Sequence, residues 1–97
     1  MRVIAKRTLR EFWERHADAK GALEAWHREA KAAIWTGPAD IKKAYRSADF
    51  IPGDRVVFNV KGNRYRLIVA IRYDLEIIFI RFVGTHAEYD KVDAETV

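Results

Sequence analysis

Apolar positions recur every three to four residues in the first half of this chain and every two in the second. Leu9, Phe12, Trp13 and His16 fall at i, i+3, i+4 and i+7, which places them on one helical face. Thr8-Leu9-Arg10-Glu11 has the form of a capping box, so the helix is expected to begin at Thr8 with Glu11 reaching back. Asp18 is placed to cap a second helix with the apolar face Ala22, Leu23, Trp26, Ala30, Ala33 and Ile34. Gly37-Pro38 reads as its stop signal. Arg2–Ala5 fits a short first strand, and Ala39–Tyr45 a helical turn. Trp13 and Trp26 read as core, and His16 and His27 as structural members of these helices.

The period then changes. Arg55–Val60 places Val56, Phe58 and Val60 on one face. Arg64–Arg72 alternates Tyr65, Leu67, Val69 and Ile71 with Arg64, Arg66, Ile68, Ala70 and Arg72. Glu76–Val83 is almost continuously apolar, which predicts a central strand buried on both faces. Lys61-Gly62-Asn63 is a hairpin signal, and Tyr73–Glu76 a second turn. Thr85–Lys91 reads as a short helix with Thr85 as N-cap and Glu88 at the box position. The expected fold is α+β: a short N-terminal strand and two helices packed on a small antiparallel sheet, followed by a short C-terminal helix. At 97 residues without repeats or linkers, the chain is expected to be one domain, 1–97.

Composition narrows the chemistry. There is no cysteine, which excludes disulfides, thiolate metal sites and a cysteine nucleophile. No apolar run approaches the ~20 residues of a membrane span, so a cytoplasmic protein without membrane contact is expected. The net charge of +4 is unevenly spread. Between Arg55 and Arg81 stand six basic residues (Arg55, Lys61, Arg64, Arg66, Arg72, Arg81) against Asp74 and Glu76. After Phe82 the balance reverses, with Lys91 against Glu88, Asp90, Asp93 and Glu95. Strand cations are costly to bury, so the sheet is expected to offer a positive surface to an anion, RNA foremost.

Two segments carry a resemblance. Phe58-Asn59-Val60-Lys61-Gly62-Asn63-Arg64-Tyr65-Arg66-Leu67 is similar to the FN-x-x-GN-x-YRL strand pair of HigB-type toxins, and Thr85-His86-Ala87-Glu88-Tyr89-Asp90 to their closing THAEYD segment. The layout of the helical half is similar too, so the resemblance covers nearly the whole chain. It implies the RelE-like superfamily of type II toxin–antitoxin systems. By implication the chain is a metal-independent endoribonuclease, an mRNA interferase acting on the translating ribosome and needing no cofactor. The implied partners are mRNA, the ribosome and a cognate HigA-type helix-turn-helix antitoxin, with DNA reached only through that antitoxin.

Metal-independent RNA cleavage needs a base for the ribose 2′-OH, cations for the charge that builds on phosphorus, and an acid for the departing 5′-oxygen. Arg66 and Arg81 resemble the strand arginines that hold the scissile phosphate in RelE-like toxins; the other reading is arginines covering apolar surface with their stems. His86 suits proton transfer near neutrality, and also stands where a capping motif would place it. Tyr89, three residues on, either stacks on a base or exchanges a proton, or packs the last helix on the sheet. Lys61, Arg64 and Arg72 suit backbone phosphate contacts, although Arg72 has Asp74 and Glu76 nearby. Asn59 is expected to face away from the core, open to RNA. Asn63 is either an RNA contact or a residue chosen for a left-handed turn. Lys61 is the only lysine from Arg55 to Arg81, whereas several RelE-like toxins have lysine-rich sites, so the general base is left unassigned. A non-catalytic RNA- or ribosome-binding module is the alternative to the enzyme, and a protein-interaction domain receiving an acidic segment is a third reading.

Overall fold

The computed structural model describes residues 1–97. In chain order the elements are β1 (Arg2–Ile4), α1 (Lys6–Arg15), a 3₁₀ turn (Ala17–Ala19), α2 (Lys20–Ala32) and α3 (Pro38–Ala44). Then come β2 (Asp49–Ile51), β3 (Arg55–Val60), β4 (Tyr65–Arg72), β5 (Ile77–Thr85) and α4 (His86–Tyr89). The sheet order is β1-β5-β4-β3-β2. β2 to β5 form an antiparallel meander, whereas β1 runs parallel to β5, with Val3 opposite Ile78. The α+β class and the short strand, helices and closing helix are as expected; the sheet is mixed rather than antiparallel, because the helical crossover carries the chain from β1 to the opposite edge at β2 and the meander then brings β5 back beside β1 in parallel.

One face of the sheet meets the helices. Val56, Phe58, Val60, Tyr65, Leu67, Val69, Ile71 and Ile78 pack there against Leu9, Phe12, Leu23, Trp26, Ala30 and Ile41. Trp26 is buried and Trp13 half-buried against this cluster, in agreement with their reading as core. His16 stacks on Phe12 with ring centroids 4.5 Å apart, a packing role as expected. Burial lowers the His27 pKa, and Lys6 and Lys31 push it the same way.

Several sequence expectations are corrected. α1 begins at Lys6, so Thr8 lies inside the helix, and Glu11 pairs with Arg7 at 3.4 Å instead of closing a box. Asp18 caps nothing; it sits in the 3₁₀ turn and takes the Tyr65 hydroxyl at 2.5 Å and Arg64 at 2.9 Å. α2 ends at Ala32, where the Met1 amino group binds the carbonyls of Ala30, Lys31 and Ala33. The chain leaves the helix there, and Ile34, expected in the core, is 75% exposed. Gly37-Pro38 opens α3 rather than ending α2, with proline in the first turn where its missing N–H costs nothing. The strand buried on both faces is β4, not β5: Tyr65, Leu67, Ile68, Val69 and Ile71 are all buried, whereas Phe79, Phe82 and Val83 are only half-buried. β4 is the middle strand of five, and no helix of the main layer covers the second face of β5.

The second face positions the site. Asn59, Arg66 and Gly84 form one cross-strand row on it, and Val57, Ile68 and Phe82 the next. Between Ile68 and Val69 the register with β5 slips, leaving Arg81 without an opposite residue. Arg81 is therefore the extra residue of a β-bulge.

Candidate active site

Arg66 is the centre of the only cluster that gathers several predicted residues. It projects from the middle strand onto the second face, directly opposite Gly84. The absence of a side chain at Gly84 lets the Phe82 ring fold over the glycine and α4 approach it: a Cβ there would lie 2.5 Å from Phe82 Cζ and 3.2 Å from Glu88 Cβ. Only 17% of the Arg66 side chain is exposed, so its orientation is fixed by neighbours rather than by solvent. Gly84→Ala is expected to cost about 1–3 kcal/mol of stability, the usual price of overpacking, and to push α4 off the sheet. Chemical denaturation checks the first, and loss of mRNA cleavage the second.

α4 supplies the next two groups. Its first turn is fixed by the capping box that the sequence predicts: Glu88 N–H donates to Thr85 Oγ1 at 3.2 Å, and Thr85 N–H donates to Glu88 Oε1 at 2.8 Å. The bond from the Thr85 N–H is the main reason the Glu88 carboxyl lies below the usual glutamate range. A depressed folded pKa means that the cap is intact above the ordinary value of about 4.3 and is lost as pH falls through the lower folded value. The Thr85 and Glu88 amide resonances should therefore hold their positions as pH falls to the ordinary glutamate value and move only below it in an NMR titration.

So fixed, His86 presents Nε2 to Arg66, accepting from Nη2 at 3.0 Å and Nε at 3.3 Å. That contact makes Nε2 the unprotonated ring nitrogen and places the imidazole proton on Nδ1. Tyr89 closes over the same cation, its ring centroid 5.1 Å from Arg66 Cζ. His86 and Tyr89 meet edge to face at 6.5 Å.

Across the sheet, on the other side of Arg66, stands a residue that the sequence reading passed over. Asp49, on β2, brings a carboxylate oxygen to 3.9 Å from Arg66 Nη1 and is itself 66% exposed. Its strand is three residues long, too short for periodicity to reveal. The signal that could have found it is Pro52-Gly53, a turn dipeptide implying a strand on either side.

The remaining predicted residues are not gathered here. The Arg81 guanidinium lies over the Phe79 ring at 5.6 Å, further down β5 and away from α4. Arg64 is paired with Asp18, and Arg72 binds Asp74 through two bonds of 3.2 and 3.0 Å. Arg72 is also six residues along β4 from Arg66, about 20 Å at strand rise. Asn59 stands beside Arg66 in the sheet, but its Nδ2 donates to the Ser47 carbonyl at 3.2 Å, which ties down the loop before β2. Lys61 is exposed at the hairpin with φ of 53°, and Gly62 has φ of 67°. Asn63 has no positive φ; the left-handed positions of this turn are the two before it.

A mixed sheet with a helical layer on one face, and on the other an arginine flanked by a carboxylate, an imidazole and a phenol, fits a small RelE-like protein whose open face can bind an anion beside groups that carry protons. The chain belongs to the HigB toxin family, described as the RelE-like toxic component of a toxin–antitoxin system, which matches residues 19–92. It is 28% identical over 92 residues to the mRNA interferase toxin HigB of Escherichia coli (strain K12), covering 93% of this chain and 88% of that protein. The mRNA interferase HigB of Shigella flexneri matches to the same extent. That of Escherichia coli O6:H1 is 27% identical over 94 residues, covering 95% of this chain and 91% of its own. Membership brings an antitoxin as partner. No helix is long and apolar enough to cross a membrane.

Proposed function

We propose that this toxin, as one domain over residues 1–97, cleaves mRNA on the translating ribosome by attack of a ribose 2′-OH on the adjacent phosphate. The observation that carries the reading is the placement of Arg66 between Asp49 on one side and His86 Nε2 on the other. Two groups able to move protons flank one fixed cation, which is what in-line displacement at phosphorus requires. The relatives named as mRNA interferases support the substrate class.

In this reading Arg66 binds the scissile phosphate with its N–H groups, which releases His86 Nε2 from its contact with the guanidinium. Asp49 takes the 2′-OH proton as the O2′–P bond forms. Arg66 holds the charge that accumulates on the equatorial oxygens. His86, protonated from solvent, gives its proton to the departing 5′-oxygen as the P–O5′ bond breaks. The products are a 2′,3′-cyclic phosphate and a 5′-hydroxyl, and these steps draw only on side chains and solvent. Tyr89 holds Arg66 in place and offers its ring to a base. Lys61 and Arg81 contact backbone phosphates beyond the cleaved one, giving affinity without sequence choice. A HigA-type helix-turn-helix antitoxin holds the toxin inactive in the cytoplasm.

The test is incubation of the protein with mRNA on translating ribosomes and with the same mRNA free, followed by mapping of new 5′ ends. Cleavage dependent on the ribosome is the expected result. Retention of RNA without new ends would instead identify a binding module.

A further inference from the structure

The second face of the sheet carries two buried residues that the helical layer does not reach. Val57 and Ile68 are 1% and 0% exposed, yet stand outside the core cluster on the face that bears Arg66. The segment after α4 ends on the same face, at Arg55. Residues 90–97 carry half-buried Val92, Ala94 and Val97 and end against Arg55, whose Nη1 donates to the Ala94 carbonyl at 3.0 Å and the Val97 carbonyl at 2.7 Å. Arg55 lies on β3, four positions from Asn59, and so marks the far end of the face from the Arg66 row.

The segment is internally tied. Lys91 and Val92 N–H groups return to the carbonyls of Glu88 and Tyr89, each at 3.2 Å, so a turn continues directly from α4. A second turn follows, with Thr96 and Val97 N–H groups on the Asp93 carbonyl at 3.1 and 2.9 Å and the Glu95 N–H on Asp93 Oδ1 at 3.0 Å. α4 is only four residues long, far too short to persist alone. Its N-terminal end is fixed by the Thr85–Glu88 box. Its C-terminal end runs into these two turns, and Arg55 is the one side chain that hydrogen-bonds them to the sheet.

We propose that Arg55 is a positioning residue for the cleavage site: by clasping the Ala94 and Val97 carbonyls it holds residues 90–97 across the second face, and so sets His86 and Tyr89 against Arg66. Arg55 touches neither Arg66 nor the reacting atoms. The inference rests on the reading of Arg66, His86 and Tyr89 as the cleavage site. Both bonds come from Nη1; a lysine ammonium carries enough N–H donors but sits on a shorter stem, so lysine replaces arginine only in part.

The test is Arg55→Met, which keeps most of the apolar stem and removes both bonds, read in two ways on the full chain. The first is the shift of the Arg66 side-chain NMR resonances caused by the Tyr89 ring, which needs no RNA. The second is mRNA cleavage on ribosomes. The expected result is loss of the ring-induced shift and a fall in kcat of about 10–10²-fold, the scale of a small misplacement of reacting groups, with KM unchanged. Arg55→Lys should recover part of both, and it decides the matter by the same readouts if Arg55→Met does not fold. Wild-type shift and wild-type kcat in the folded variant would overturn the proposal, as would a loss of stability that leaves the Arg66 shift in place. Failure of the reading beneath it is separately visible, because the wild-type protein would then produce no new mRNA ends.

Discussion

Arg66→Ala is expected to lower ribosome-dependent mRNA cleavage by at least about 10²–10³-fold, the loss that follows removal of one fixed group stabilising transition-state charge. The fold should survive, because the side chain lies outside the main core and its polar and aromatic partners are His86, Tyr89 and the Asp49 carboxylate 3.9 Å away. Arg66→Lys should recover little. A lysine keeps the charge but has no planar fork with which to engage two phosphate oxygens. The useful contrast is Arg81→Ala. Both arginines suggest themselves from the sequence as one phosphate clasp, but the Arg81 guanidinium is stacked on Phe79 and directed along β5 away from α4. Its removal should weaken substrate binding with a much smaller effect on kcat. Steady-state kinetics of the two variants on the same programmed ribosomes separate these outcomes.

The second large effect is expected at the proton-transferring pair. Asp49→Asn and His86→Gln should each reduce kcat by about 10²–10⁴-fold, the range found for loss of a positioned general acid or base. Both replacements are close in size to the native side chain, and both sites are exposed, so thermal midpoints should change little. The double variant should fall well short of the product of the two losses, since groups that act in one step are not additive. Asp49→Asn is the more telling of the two, because that residue's place beside Arg66 comes from the structure alone. Near-native kcat in Asp49→Asn would remove the carboxylate from the mechanism and leave His86 to serve as base.

How far the site was legible depended on how local each feature is. His86 and Tyr89 were readable because the Thr85–Glu88 box fixes four residues by contacts within that segment. Arg66 was readable because strand alternation and the YRL motif agree on its face. Asp49 was not, since its value comes from β2 joining a sheet edge two strands from Arg66, a relation no window of sequence contains. Gly84 and Arg55 were missed for the same reason. One matters for the space it leaves opposite Arg66, and the other for carbonyls about forty residues away. For Arg64 and Arg72 the charge was visible in the sequence, and the structure adds a carboxylate beside each: Asp18 from the helical half, which no local window offers, and Asp74 from the next turn, which the sequence already suggested. In the fold, β1 beside β5 follows from where the meander ends, and Ile34 outside the core from where the chain leaves α2; both are tertiary outcomes.

The most direct test of the account is cleavage of an mRNA carrying a single 2′-deoxy substitution at the nucleotide whose 2′-OH would attack, presented on a translating ribosome. The account predicts a 2′,3′-cyclic phosphate and a 5′-hydroxyl at that site with the ribose, and no cleavage there with the deoxyribose. Undiminished cleavage of the deoxy-substituted message would contradict it.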